Sequence, residues 1–139
     1  MATIITGVSV TSDGIITNTL GTSNFVAGVN AGNSIVSGGN YNTLVGDYAG
    51  DVVTTGTRNT ATGYGSLTTC TTGGYNSVFG MAALANNTTG SYNTALGTSS
   101  LNANTTASNN TAVGYSSLLA NTTGNENTSL GFQALRDNT

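Results

Sequence analysis

A five-residue signature (Asn, Thr or Ser, two mostly apolar residues, Gly) begins at Asn42, Asn59, Asn76, Asn93, Asn110 and Asn127, each step 17 residues long. The glycines keep the same interval at Gly46, Gly63, Gly80, Gly97, Gly114 and Gly131. A second turn region reads NNTTG at Asn86–Gly90 and ANTTG at Ala120–Gly124. Upstream, NFVAG at Asn24–Gly28 precedes the set with a shift of 18, so residues 24–41 read as one irregular unit. Residues 1–23 carry β-branched runs without a clear unit and read as an N-terminal cap or a joint. The array then covers 24–139, with its last unit incomplete at Asn138-Thr139. Terminal units of such arrays generally differ, because one of their faces has no neighbour.

A period of 17 is too short for helical-hairpin repeats, which need about 33 residues or more. It suits one turn of a β-solenoid, with two or three short strands joined at glycines. Composition agrees, since the Thr, Asn, Ser and Gly that dominate the chain all rank low in helix propensity. The expected fold is therefore all-β: a parallel β-solenoid in which equivalent side chains form ladders along the axis.

Numbering each unit from its leading Asn, the fourth column is Val45, Thr62, Phe79, Leu96, Val113 and Leu130. The ninth is Gly50, Leu67, Leu84, Leu101, Leu118 and Leu135. These two columns read as the interior. Adjacent strand residues face opposite ways, which predicts that the third column points outward. That column is Leu44, Ala61, Val78, Ala95, Ala112 and Ser129. A strand apolar on both faces is usually covered on both, so Leu44, Ala61, Val78, Ala95 and Ala112 are expected at a subunit interface of a parallel homotrimer. The Asn of the first column, and Asn87, Asn104, Asn121 and Asn138 of the twelfth, suit stacked amide ladders and tight corners.

Charge excludes several functions. The chain has 2 Lys plus Arg against 5 Asp plus Glu, a net charge of −3 and no His. Two cations cannot neutralise a phosphate backbone, so nucleic acid is not an expected partner. The longest apolar runs are four or five residues, far below the roughly 20 that a membrane helix needs. The N-terminus, MATIITGVSVTSDG, lacks the basic and apolar regions of a secretory signal.

Units such as NTALGTSSLNANTTASN (Asn93–Asn109) and NTAVGYSSLLANTTGNE (Asn110–Glu126) resemble repeats of bacteriophage tail-fibre and related virion proteins. In that group they often lie upstream of an intramolecular chaperone domain of the endosialidase type. More distantly, NSVFG and NTAVG resemble head repeats of trimeric autotransporter adhesins. The resemblance implies a structural fibre segment in a virion tail appendage, outside the cell. Its partners would be further copies of itself, other fibre proteins and a host-surface glycan. A head-to-tail filament or an adhesin stalk is the alternative. Neither the chaperone domain nor an autotransporter anchor is recognisable in the chain.

Enzymatic chemistry finds little purchase. Asp47 and Asp51 are the only close carboxylate pair, and both sit in a polar corner of the first regular unit. Asp13, Glu126 and Asp137 stand alone. Cys70 has no His to activate it. No metal, cofactor or catalytic residue is expected. Tyr64, Met81, Tyr115 and Phe132 share the sixth column, where Tyr64 and Tyr115 are candidate glycan contacts and packing is the plainer reading. Arg58 and Arg136 are expected to pair with nearby acids. The sequons at Asn87, Asn104 and Asn121 follow from the repeat. Ice binding, suggested by Thr ladders like those of insect antifreeze solenoids, is a further alternative. It requires two Thr per rung at i and i+2, whereas Thr88-Thr89, Thr105-Thr106 and Thr122-Thr123 are adjacent.

Overall fold

A computed structural model describes residues 8–11, 14–17 and 20–138. Within the N-terminal segment, β1 (Val8–Thr11) and β2 (Gly14–Thr17) form an antiparallel hairpin. The rest of the expected cap, residues 1–7, 12–13 and 18–19, lies outside the described residues, as does Thr139. Seven strands follow, one per unit: β3 (Phe25–Ala27), β4 (Thr43–Val45), β5 (Thr60–Thr62), β6 (Ser77–Phe79), β7 (Thr94–Leu96), β8 (Thr111–Val113) and β9 (Thr128–Leu130). They pair in sequence order as one parallel sheet, with Thr43 opposite Thr60 and Thr60 opposite Ser77. The protein is a parallel β-solenoid with about 17 residues per rung.

Each regular rung contains a single three-residue strand rather than two or three. The remainder turns back through bends that still hydrogen-bond to the next coil. Gly50 N donates to Ser66 O (2.9 Å), Leu67 N to Ala83 O (3.0 Å) and Thr71 N to Thr88 O (2.9 Å). The axial ladder of backbone bonds therefore runs round much of the circumference, without extended strand geometry. The extra residue of the irregular unit is absorbed at Ser37–Gly38, since Val36 N still reaches Thr54 O and Asn24 Nδ2 still reaches Gly39 O.

The two strand faces are the reverse of the hydrophobic reading. Leu44, Ala61, Val78, Ala95 and Ala112, expected as an outward interface, are 0% exposed within a single chain. The fourth column, expected inside, faces out: Phe79 and Leu130 are exposed, and Val45, Thr62, Leu96 and Val113 are half-buried. Parity explains the reversal. Asn42 immediately precedes β4, two residues before Leu44, and is buried on the same side as Leu44, as the two-residue alternation of an extended chain requires. The Asn turns inward, to 1% exposure at Asn42 and 0% at Asn59, and takes the third column with it.

Inside, the third and ninth columns meet. The ninth is buried as expected at Leu67, Leu84, Leu101 and Leu118, while Leu135 in the last turn is exposed. Where the third residue is the large Leu44 the ninth is Gly50, and a Cβ added there would approach Leu44 Cδ1 at 2.8 Å. Where the ninth is Leu67, Leu101 or Leu118, the third shrinks to Ala61, Ala95 or Ala112. In these four rungs a large residue thus faces a small one, and Val78 with Leu84 is the fullest pairing, as suits a close-packed interior. The ninth residue is left-handed throughout (Gly50 φ 57, Leu67 φ 53, Leu84 φ 49), so four buried leucines accept a conformation costing roughly 1–2 kcal/mol each. Burying a leucine stabilises by about 1.5–3 kcal/mol, enough to offset it.

The fifth column must be Gly. Gly63 and Gly80 have φ of 130 and 136, and a Cβ on Gly63 would lie 2.7 Å from the Gly80 backbone. Adjacent coils come too close there for any side chain.

The exchange of volume within a rung is testable. Leu44→Ala is expected to cost about 2–4 kcal/mol by opening a cavity. Adding Gly50→Leu to it recreates the pairing of Ala61 with Leu67 and should recover most of that loss, as measured by chemical denaturation of both variants.

Candidate functional site

The positions with side-chain chemistry are ladders, and the first-column asparagines form the longest. Each Asn Oδ1 accepts from the backbone N–H of the Asn one rung on: Asn42 N to Asn24 (2.8 Å), Asn59 N to Asn42 (2.9 Å), Asn93 N to Asn76 (2.9 Å) and Asn127 N to Asn110 (2.9 Å). Nδ2 donates across the rung to the fifteenth-position carbonyl, from Asn42 to Gly56 and from Asn59 to Gly73, both 2.9 Å. A buried amide left without partners would cost about 1–3 kcal/mol. Here Asn42, Asn59, Asn76 and Asn93 each have a partner for both Oδ1 and Nδ2.

The twelfth column forms a second ladder. Asn104 Nδ2 donates to Asn87 Oδ1 (2.8 Å) and Asn121 Nδ2 to Asn104 Oδ1 (3.3 Å). The two ladders share acceptors: Gly90 O receives from Asn76 and Asn87, and Ala107 O from Asn93 and Asn104. They loosen toward the last turn, where Asn110 Nδ2 and Asn121 Oδ1 lack partners. Asn87, Asn104 and Asn121 are buried, so the sequons they head are closed to glycosylation in the folded rod.

Cys70 takes an Asn place in this column. It is buried, with Sγ 3.4 Å from Gly73 O and 3.8 Å from Asn87 Nδ2. Burial raises its pKa from 9.0 to about 11, and these hydrogen bonds only partly oppose the shift. Such a thiol is a poor nucleophile at neutral pH.

The carboxylate pair is built for structure on one side at least, because Asp47 Oδ1 caps the Val29 N–H at 2.9 Å. Among the described residues no group of three His, Cys, Asp or Glu could hold a metal ion. The thirteenth-column threonines are half-buried or exposed and donate to the next rung's carbonyl, as from Thr54 to Thr71 (3.0 Å) and from Thr88 to Thr105 (3.0 Å). Their fourteenth-column neighbours, including Thr72, Thr89 and Thr106, are exposed. An outward Thr-x-Thr strand occurs in one rung, at Thr60 and Thr62.

Aromatic side chains lie outside. Tyr64 and Tyr115 are 60% and 50% exposed, Tyr64 packing edge-on with Tyr48 and Tyr115 stacking on Phe132 at 5.4 Å. A sugar ring stacked on Tyr115 has one face fewer available. A second aromatic column was not legible as a unit. Tyr41, Arg58, Tyr75 and Tyr92 all occupy the last position of their rungs, just before the buried Asn. Arg58 Cζ lies 5.0 Å from the Tyr41 ring centre and 5.2 Å from that of Tyr75, and Nη1 donates to Tyr75 Oη at 3.1 Å. Tyr75 and Tyr92 stack at 4.8 Å with planes 12° apart. Arg58 therefore sits between tyrosines rather than on an acid, whereas Arg136 does approach Asp137, at 3.7 Å on the surface. Reading the seventeenth column down the repeat would have exposed the ladder, but its conversion into a stack depends on coil spacing.

Compared with protein families, curated proteins and solved structures, the chain finds no match in any of the three.

Cys70 gives a pH dependence of known sign. The folded thiol keeps its proton to about pH 11 and an ordinary one to 9.0, so the folded state binds more protons in between. Its contribution is fully present below pH 9 and declines as pH rises through the folded value. Denaturant midpoints of the native chain should fall more steeply between about pH 9 and 11 than those of Cys70→Val, a side chain already accommodated at Val53.

Proposed function

We propose that this chain is a non-enzymatic spacer segment of a virion tail appendage, a stiff rod that holds a distal tip against a host surface. One observation carries the reading: the same buried asparagine ladder joins every coil to the next from Asn24 to Asn127, without interruption. Load along the axis is then shared by backbone bonds, Asn side chains and the glycine contact at every step. Seven strands at roughly 4.8 Å spacing give a rod of about 30 Å. The likeness of NTAVGYSSLLANTTGNE to tail-fibre repeats supports the setting, outside the cell as part of a virion.

A spacer of this build tolerates added whole rungs, and a single extra residue only at a corner such as Ser37–Gly38 that leaves the ladders in register. Duplicating Asn93–Asn109 should lengthen the rod by about 4.8 Å in small-angle scattering, with no loss of thermal stability, and a particle bearing it should still adsorb. Inserting one residue into the strand Thr94–Leu96, which turns its inner face outward, should lower the melting temperature and abolish adsorption. Adsorption abolished by the whole-rung duplication, in a rod that remains folded, overturns the spacer reading.

Self-association belongs to the same proposal, on the outward sheet face rather than the third column. That face presents Phe25, Val45, Phe79, Leu96, Val113 and Leu130 beside Thr43, Thr60, Thr94 and Thr111, with no charged side chain in any of the seven strands. Parallel copies share one axial repeat and bring these ridges together rung by rung, and three-fold packing covers the face on each. Native mass measurement is expected to find trimers for the native chain and monomers for Phe79→Asp with Leu96→Asp, because two buried unpaired carboxylates are not tolerated at an interface. A native chain that stays monomeric at high concentration overturns this part.

A further inference from the structure

We propose that the Tyr41–Arg58–Tyr75–Tyr92 ladder is a binding site for an acidic polysaccharide, with Arg58 receiving the sugar carboxylate. The inference rests on the surface-attachment half of the function above, not on the stiffness of the rod.

Arg58 is one of two cations in the sequence, and among the described residues it makes no ion pair. Its charge is set in place by rings on both sides, at 5.0 and 5.2 Å, and by the Nη1 bond to Tyr75 Oη. A guanidinium held this way loses little further freedom on binding, and its remaining N–H groups keep the planar fork that matches a carboxylate. Tyr41, Tyr75 and Tyr92 are all exposed, so phenol groups lie in the same column on either side of the cation. Each rung adds one such group at a spacing of roughly 4.8 Å.

One acid shares the column. Glu126 lies four rungs on, roughly 19 Å away by rung spacing, about two Debye lengths at physiological salt. Asp47 is turned to the Val29 N–H.

The chemistry favours a sugar acid over other anions. A uronic or similar residue carries a carboxylate and neighbouring hydroxyls on one rigid ring, matching a guanidinium with phenols beside it. An acidic peptide brings the carboxylate on a flexible stem, with no hydroxyls for the tyrosines.

Electrophoresis of the native chain through gels containing polygalacturonate, neutral dextran or polyglutamate tests this. Retardation by polygalacturonate alone is expected. Arg58→Gln should weaken it roughly tenfold or more, the usual scale for losing a charged hydrogen bond. Arg58→Lys should recover part of the affinity at most. Arg136→Gln makes the same change in net charge elsewhere and should bind as the native chain does, and thermal melts establish that each variant is folded. No retardation, equal retardation of Arg58→Gln, or equal retardation by polyglutamate overturns the proposal. Such a failure leaves the spacer reading standing, since the duplication of Asn93–Asn109 tests that separately.

Discussion

The inward asparagine at the start of each rung is the constraint on which the other positions depend. Its carboxamide ties three points together: the backbone of the next coil, the carbonyl at the far corner of its own rung and, through that carbonyl, the twelfth column. Once Asn76 points inward, Val78 must also point inward, and Ser77 and Phe79 must point out. The strand thus takes its parity from a polar residue. Hydrophobicity would have chosen differently, since Phe79 and Leu96 are larger than Val78 and Ala95.

A narrow coil makes that choice affordable. The interior has room for one leucine per level opposite a smaller residue, Ala95 with Leu101, Ala112 with Leu118 and at most Val78 with Leu84. A column of Phe79, Leu96 and Leu130 on the inside, facing a leucine column, would overfill it. The left-handed corners belong to the same economy of space. Ala82, Leu84 and Tyr92, with φ of 54, 49 and 59, turn the chain within one rung so that so short a coil can close.

Strength and recognition are divided between inside and outside. Buried amides, glycine contacts and leucines repeat with little variation and supply axial continuity. Outward positions vary from rung to rung, and there Tyr41, Arg58, Tyr75 and Tyr92 build a local feature that the array does not continue, since Asn109 and Glu126 follow in that column. Variation on a constant scaffold is what gives one stretch of an otherwise uniform rod a chemical identity.

The 17-residue interval and the disfavouring of helix by composition determined the solenoid, because coils of equal length can stack only if each residue meets its own counterpart. Asn42 and its successors, the glycines from Gly46 and the leucines from Leu67 were legible as structural columns for the same reason. Only the tertiary structure decided which strand face is inside, since alternation defines two faces without saying which is which, and the deciding bonds run from Asn59 to Gly73 and to a neighbouring coil. Likewise, Arg58 was legible as a charge, but its seat between Tyr41 and Tyr75 arises from residues 17 apart being brought one coil spacing apart.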